Sequence, residues 1–207
     1  MNGFENKAGR CGYRLIAGID EAGRGPLAGP VIAAAVILPP RYRNSEINDS
    51  KKLSALQRER LYGVIQRDAV SVGIGITEAP AIDLLNILQA TLAAMKEAVL
   101  ELSTHPDYLL IDGLNRIDLA IPQETIVRGD SRSVSVASAS IVAKVSRDRL
   151  MEMYHRQFPQ YNFRCNKGYA TREHREAILR FGRCKIHRRS FRIVEIDGPP
   201  SAGELDF

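Results

Sequence analysis

Two carboxylates, Asp20 and Glu21, stand at the seam between the apolar runs Leu15-Ile-Ala-Gly-Ile19 and Val31-Ile-Ala-Ala-Ala-Val-Ile-Leu38. Neighbouring residues on an extended strand point to opposite faces, so both acids serve one site only if the chain turns at that point. Ala22-Gly-Arg-Gly-Pro26 is such a turn: Gly23 and Gly25 reach conformations that a Cβ excludes, and Pro26 prevents the strand from continuing. Arg24 is thereby delivered beside the acids. Two more acids end short apolar runs, Asp112 in Asp107-Tyr-Leu-Leu-Ile-Asp-Gly113 and Asp130 after Thr125-Ile-Val-Arg-Gly129. In open α/β sheets ligands bind beyond the carboxyl ends of the strands. Gathering Asp20, Glu21, Asp112 and Asp130 there places like charges together, which opposes ionisation unless cations neutralise them. Oxygen-only ligands favour hard ions, Mg²⁺ or Mn²⁺. The chemistry in view is phosphodiester hydrolysis at a metal site.

Other readings explain less. A surface hairpin accounts for one charged turn but not for four acids at strand ends. Gly23, Gly25 and Gly29 look superficially like a dinucleotide fingerprint, yet that fingerprint opens a helix, and the run after Pro30 is apolar, partly β-branched and uncapped. A phosphatase of the haloacid dehalogenase type needs Asp or Thr two residues after its first strand-end Asp, where this chain has Ala22. A nucleic-acid-binding protein without catalysis leaves the acids unexplained.

The elements that must position these residues follow from periodicity. Val70, Val72, Ile74 and Ile76 alternate with small or polar residues, which predicts a half-buried strand. Ser54-Ala-Leu-Gln57 is a capping box opening a helix to about Asp68. A second helix is predicted over 81–102, ending before His105-Pro106. A third begins near Ser133 with Val134, Ala137, Ile141 and Val145 on one stripe, and a fourth spans 172–181. This order predicts an α/β fold with a mixed sheet rather than a barrel or a bundle. Gly198-Pro-Pro-Ser-Ala-Gly203 reads as a flexible tail.

The 207 residues, 44% hydrophobic and 26% charged, suffice for one well-buried domain. No apolar stretch has membrane-spanning length and Met1 to Arg10 is unlike a signal peptide, so a cytoplasmic protein is expected. Cys11, Cys165 and Cys184 lack zinc spacing and are expected as free thiols. Charge is unevenly spread: residues 131–193 hold 15 Lys and Arg against 4 Asp and Glu, whereas residues 1–130 hold 14 against 16. Such a basic segment suits a phosphate backbone, with Arg188 and Arg189 among the expected contacts. Tyr154, Tyr161, Phe163 and Tyr169 interleave with the charges, though most of these rings are expected in the core. His174 and His187 are expected at the surface or on phosphate rather than in catalysis.

Ile19-Asp-Glu-Ala-Gly-Arg-Gly-Pro26, Asn48-Asp-Ser-Lys-Lys-Leu53, Leu85-Asn-Ile-Leu88, Leu110-Ile-Asp-Gly113, Gly129-Asp-Ser131, Ser140-Ile-Val-Ala-Lys-Val-Ser-Arg-Asp148, Lys167-Gly-Tyr169 and His187-Arg-Arg-Ser-Phe191 occur in this order. In these blocks, from about residue 13 to 191, the chain resembles bacterial type 2 ribonuclease H, ribonuclease HII. Ala170 stands where that family usually has proline, and Ala137-Ser-Ala-Ser140 reorders its usual Ser-Ala-Ala-Ser; neither touches an acid.

The resemblance implies a ribonuclease H-like fold, a mixed five-stranded sheet flanked by helices with a helical C-terminal part. It implies an N-terminal extension over 1–12, a single catalytic domain over 13–193 and a flexible tail over 194–207. Type 3 enzymes carry a further N-terminal domain, for which residues 1–12 leave no room. Asp20, Glu21, Asp112 and Asp130 become the catalytic and metal-binding set, holding two cations about 4 Å apart. Gly23, Arg24 and Gly25 become contacts to the ribonucleotide, Tyr169 packs on the next sugar, and Ser50, Lys51 and Lys52 form a phosphate-contacting loop. The implied partners are an RNA/DNA hybrid and a DNA duplex containing ribonucleotides. The implied cut lies 5′ to a lone ribonucleotide and leaves 5′-phosphate and 3′-hydroxyl ends. A monomer with no membrane attachment is expected.

Overall fold

The computed structural model describes residues 1–198. Five strands form one mixed sheet: β1 (Ile16–Ala22), β2 (Val31–Ile37), β3 (Ser71–Thr77), β4 (Tyr108–Asp112) and β5 (Gln123–Ile126), in the order β3-β2-β1-β4-β5. β2 is antiparallel to β1 and β3, while β4 is parallel to β1 and β5. The pairing of Ile19 with Ile111 sets Asp20 beside Asp112 at the carboxyl rim of the sheet, as the sequence predicts.

Helices cover both faces. On one, α4 (Ile87–Leu100) lays Ala90, Ala94, Met95 and Ala98 over Ala17, Ile19 and the Val31, Ala33 and Ala35 side of β2. On the other, α5 (Val134–Gln157) and α2 (Ala55–Asp68) pack Ala137, Ile141, Leu61 and Ile65 against Ala34 and Val36. Ser133 caps α5, and the Ser54/Gln57 box opens α2 as its spacing predicts. A smaller core gathers Leu27, Met151, Tyr161, Phe163 and Ile178 around the end of α5, α6 (Phe163–Asn166) and α7 (Arg172–Phe181).

Two sequence expectations change, and both terminal segments carry short helices. The helix predicted over 81–102 is two, α3 (Ala79–Leu85) and α4, because Asn86 adopts φ +69 and accepts from Leu88 N and Gln89 N, ending one helix and capping the next. In β3 the small residues form the more buried face: a Cβ at Gly73 or Gly75 would collide with the Ala98 and Ala94 carbonyls of α4, whereas Ile76 is exposed. Residues 1–12 carry α1 (Gly3–Arg10), docked where Glu5 accepts from Ser133 Oγ at 2.6 Å and Ser135 N at 3.0 Å. Within the predicted tail, Val194–Asp197 forms α8 and Asp197 pairs with Arg183 at 2.6 Å; residues 199–207 lie outside the described ones.

Candidate active site

The turn is not what unites Asp20 and Glu21. β1 runs through both acids to Ala22, and Asp20 faces α5 while Glu21, in phase with Ala17 and Ile19, faces α4. Both still serve one site because the strand stops one residue later, so the two side chains reach around the rim from opposite faces. Asp112, the last residue of β4, completes a triangle in which one carboxylate oxygen from each acid lies within 4.8 Å of the other two. Asp130 falls outside that triangle, on a short 3₁₀ turn (Gly129–Ser131) four residues beyond β5. The two loops are tied together: Gly129 N donates to Asp112 Oδ1 at 2.6 Å.

Asp20, Glu21 and Asp130 ionise against their surroundings. Burial, then the charges of Glu21 and Asp112, hold the Asp20 carboxyl well above the usual range, opposed by hydrogen bonds from the Ser140 hydroxyl and Glu21 N. Burial also raises Glu21, against the pull of Arg24, whose Nη1 lies 3.3 Å from Glu21 Oε1. Burial, then Asp49 and Asp112, raises Asp130. Lys51 sits 3.8 Å from Asp130 Oδ2; burial lowers it, but the carboxylates of Asp130, Asp20, Asp49 and Asp112 outweigh that and raise it overall. A crowded oxygen set on a desolvated rim suits a hard divalent cation.

A cavity of about 240 Å³ opens on this rim. Asp20, Glu21, the Gly23–Gly25 turn, Ser50, Lys51, Ser140, Lys144, Arg147 and Tyr169 line it. Tyr169 is 47% exposed, its ring Cε1 3.9 Å from where a Cβ on Gly25 would stand. A larger cavity of about 480 Å³ lies at the opposite end of the sheet, beside α1; its one lining carboxylate, Glu5, accepts from Ser133 and Ser135 through Oε1, while its buried Oε2 has no protein partner.

Some predicted residues face elsewhere. Lys52 does not line the cavity and leans on Asp49 at 3.9 Å. The Ser50 hydroxyl points inward to Ser140 Oγ at 2.9 Å, buttressing the serine that bonds Asp20. His174 and His187 are buried, not superficial, because they bond to each other and pack on Tyr161 and Phe163. Arg188 is buried too. Of the four interleaved aromatics, Tyr161 and Phe163 are core and Tyr154 donates to Glu78, leaving Tyr169 at the cavity. The exposed Ala170 follows it, and the loop closes through Thr171 N to Tyr169 O at 2.8 Å.

Two arginines shape the turn: Arg147, which the sequence did not single out, and Arg188, expected on phosphate and instead turned inward onto backbone. Gly23 has φ +100, and a Cβ there would run into the Arg147 guanidinium. Arg147 donates to the carbonyls of Pro30, Lys167 and Ala28, and Arg188 to those of Gly29, Arg24 and Gly23. With the Gly23 and Arg24 carbonyls turned toward Arg188, planar trans peptides direct the N–H groups of Arg24 and Gly25 the other way. The Arg-Asp ending of the Ser140 to Asp148 block, thirteen residues beyond the start of a helix that faces the turn, was the available signal for Arg147.

A family model described as ribonuclease HII matches residues 17–194. The ribonuclease HII of Syntrophus aciditrophicus is 69% identical over 193 residues, 93% of this chain and 91% of the relative. Among solved structures, ribonuclease H2 from Pyrococcus horikoshii superposes with a TM-score of 0.71 at 23% identity, over 85% of this chain and 93% of the other. A Bst-RNase HIII in complex with Mn²⁺ superposes with a TM-score of 0.64 at 19% identity, over 89% of this chain and 63% of the other. These likenesses establish the ribonuclease H-like fold. A rim of carboxylates on that fold, with a family match from the first strand to α8, makes this chain a member of the ribonuclease HII family, metal-dependent ribonucleases H that cut the RNA strand of RNA/DNA hybrids.

Proposed function

We propose that the protein also incises duplex DNA on the 5′ side of a single embedded ribonucleotide, leaving 5′-phosphate and 3′-hydroxyl ends. One observation carries this reading: two members of the acid triangle, Asp20 and Glu21, line the same small cavity as the Gly23–Gly25/Tyr169 wall. Only the 2′-hydroxyl distinguishes RNA from DNA at one position. The outward N–H groups of Arg24 and Gly25 are donors for it, and Gly25 leaves the ribose room to approach. The exposed face of Tyr169 packs on the following sugar, where a deoxyribose fits.

Asp20, Glu21 and Asp112 would hold Mg²⁺ or Mn²⁺, with Asp130 completing the set from its neighbouring turn. The bound cations supply the charge that activates the attacking water and stabilises the leaving 3′-oxygen. Ser140, backed by Ser50, fixes the Asp20 carboxylate by a hydrogen bond. Lys51 meets a substrate phosphate at the cavity mouth; Lys52, paired to Asp49, adds charge to the same loop. The 2′-hydroxyl is read and not consumed.

A labelled DNA duplex with one ribonucleotide, incubated with Mg²⁺, Mn²⁺ or chelator, tests the reading. Cutting 5′ to the ribonucleotide, dependent on metal and absent on all-DNA duplex, is expected. Tyr169→Ala should lower junction cleavage more than cleavage within continuous RNA. A cut on the 3′ side, a cyclic phosphate end, or equal losses on both substrates would refute it.

A further inference from the structure

The loop carrying Tyr169 is held by a chain of polar atoms that the metal chemistry does not use. His174 Nδ1 lies 2.8 Å from Tyr169 O, His174 Nε2 lies 3.1 Å from His187 Nε2, and Cys184 N donates to His187 Nδ1 at 2.9 Å. A carbonyl only accepts, so His174 Nδ1 carries a hydrogen. The neutral ring then offers Nε2 as an acceptor, and His187 donates from its own Nε2. That leaves His187 Nδ1 free to accept from Cys184. One tautomer of each ring satisfies the whole chain, and an added proton would set two N–H groups against each other. Burial lowers His174, and burial followed by the neighbouring His174 pushes His187 down to about 4, so both rings are neutral at neutral pH.

The far end of this chain grips the Gly-Arg-Gly turn. Gly29 N donates to Ile186 O and Arg188 N to Leu27 O, so the backbone around His187 pairs with the segment leaving the turn. The next residue, Arg188, holds the turn's own carbonyls. Tyr169, Ala170 and Thr171 are exposed, and the Thr171 N–H bond to Tyr169 O is local in sequence. His174 and His187 connect that carbonyl to the body of the protein.

We propose that His174 and His187 are positioning residues that fix the Tyr169 ring against the Gly23–Gly25 turn. The consequence for substrate preference rests on Tyr169 being the sugar reader, and the experiment separates the two ideas. The chain has no Trp, so Tyr169→Trp gives a single emitter in the loop. Its fluorescence anisotropy should fall when His174→Phe removes both nitrogens and recover with His174→Asn, whose amide N–H stands near the lost Nδ1. With Tyr169 kept, His174→Phe should lower the ratio of junction to hybrid kcat/KM by about tenfold, a misplacement effect. His174→Asn should restore most of that ratio.

Unchanged anisotropy in folded His174→Phe overturns the positioning role. Lowered anisotropy with an unchanged ratio upholds it and overturns Tyr169 as the sugar reader. Nitrogen NMR of histidine-labelled, unsubstituted protein gives a second test independent of any variant's folding. It should show hydrogen on Nδ1 of His174 and on Nε2 of His187 at neutral pH; the reverse tautomers or a charged ring overturn the proposal.

Discussion

Charge withdrawn from solvent flanks the Gly23–Gly25 turn on two sides and is treated in opposite ways. Asp20, Glu21 and Asp112 crowd one another, with the half-exposed Arg24 as the cation bonded to Glu21. Arg147 and Arg188 are buried as deeply as Asp20, yet six backbone carbonyls take up their donors. Burial pushes the two guanidinium groups down to about 10 and about 9, which still leaves them charged at neutral pH. A charge lacking its opposite is poised for a partner from solution, whereas a charge saturated by backbone holds shape. The acids therefore belong to the chemistry and the arginines to the mould around it.

Asp20→Asn should produce the largest effect and test the acid side. Cleavage should fall by roughly a thousandfold or more, the scale of losing a group that stabilises transition-state charge. The metal-free fold should be no less stable, since the change relieves the repulsion that raises Asp20. Near-normal turnover at saturating Mg²⁺ or Mn²⁺, or a lowered urea midpoint, would break the contrast.

On the other side, Arg188→Met should cost about 4 kcal/mol of stability, because it strands three buried carbonyls. The adjacent Arg189→Ala should leave the urea midpoint in place: Arg189 is exposed, and only its backbone N–H, to Asp83, is engaged. Equal midpoints for the two variants would mean that Arg188 does not hold the turn. If Arg188→Met stayed fully stable while losing substrate affinity, the residue would belong with the phosphate contacts.

A smaller effect follows from protons competing with the cation. Asp20 and Glu21 have raised folded pKa values, so they retain protons to higher pH than free carboxylates, and metal binding must release them. Raising the pH through those values removes the competitor. The gain in melting temperature on adding Mg²⁺ should therefore be larger at pH 8 than at pH 6, and Asp20→Asn should flatten the difference. An equal gain at both pH values would mean that the acids are already ionised when the metal arrives.

What was legible in the sequence follows the same division. Strand-end acids can be read from one chain because an apolar run ending in Asp advertises both the strand and its rim, and the pairing of β1 with β4 puts Asp20 beside Asp112. The capping box of α2 and the apolar stripe of α5 are equally local. The roles of Arg188, His174 and His187 were not legible, since each depends on which carbonyl or ring lies opposite after folding. A basic segment looks the same whether its arginines face solvent or backbone oxygen. Likewise, alternation in β3 is visible, but which face is buried depends on α4 approaching so closely that only Gly73 and Gly75 admit it.

Lys51 is the sharpest test of the boundary between the two regions, although its effect should be the smallest. Its side chain is 84% exposed, with the ammonium 3.8 Å from Asp130 and within reach of the charges of Asp20, Asp49 and Asp112 as well. If it serves the substrate, Lys51→Ala should reduce the slope of log affinity against log salt by about 0.9, the value of one phosphate contact. Hybrid binding should weaken a few-fold, and the cation concentration for half-maximal cleavage should stay in place. If it serves the acids as a built-in counter-charge, the salt slope should stay and the cation requirement should drop, because removing a competing positive charge favours the metal. The exposure and the long distance to Asp130 favour the first outcome, since a pair screened by solvent contributes little on its own.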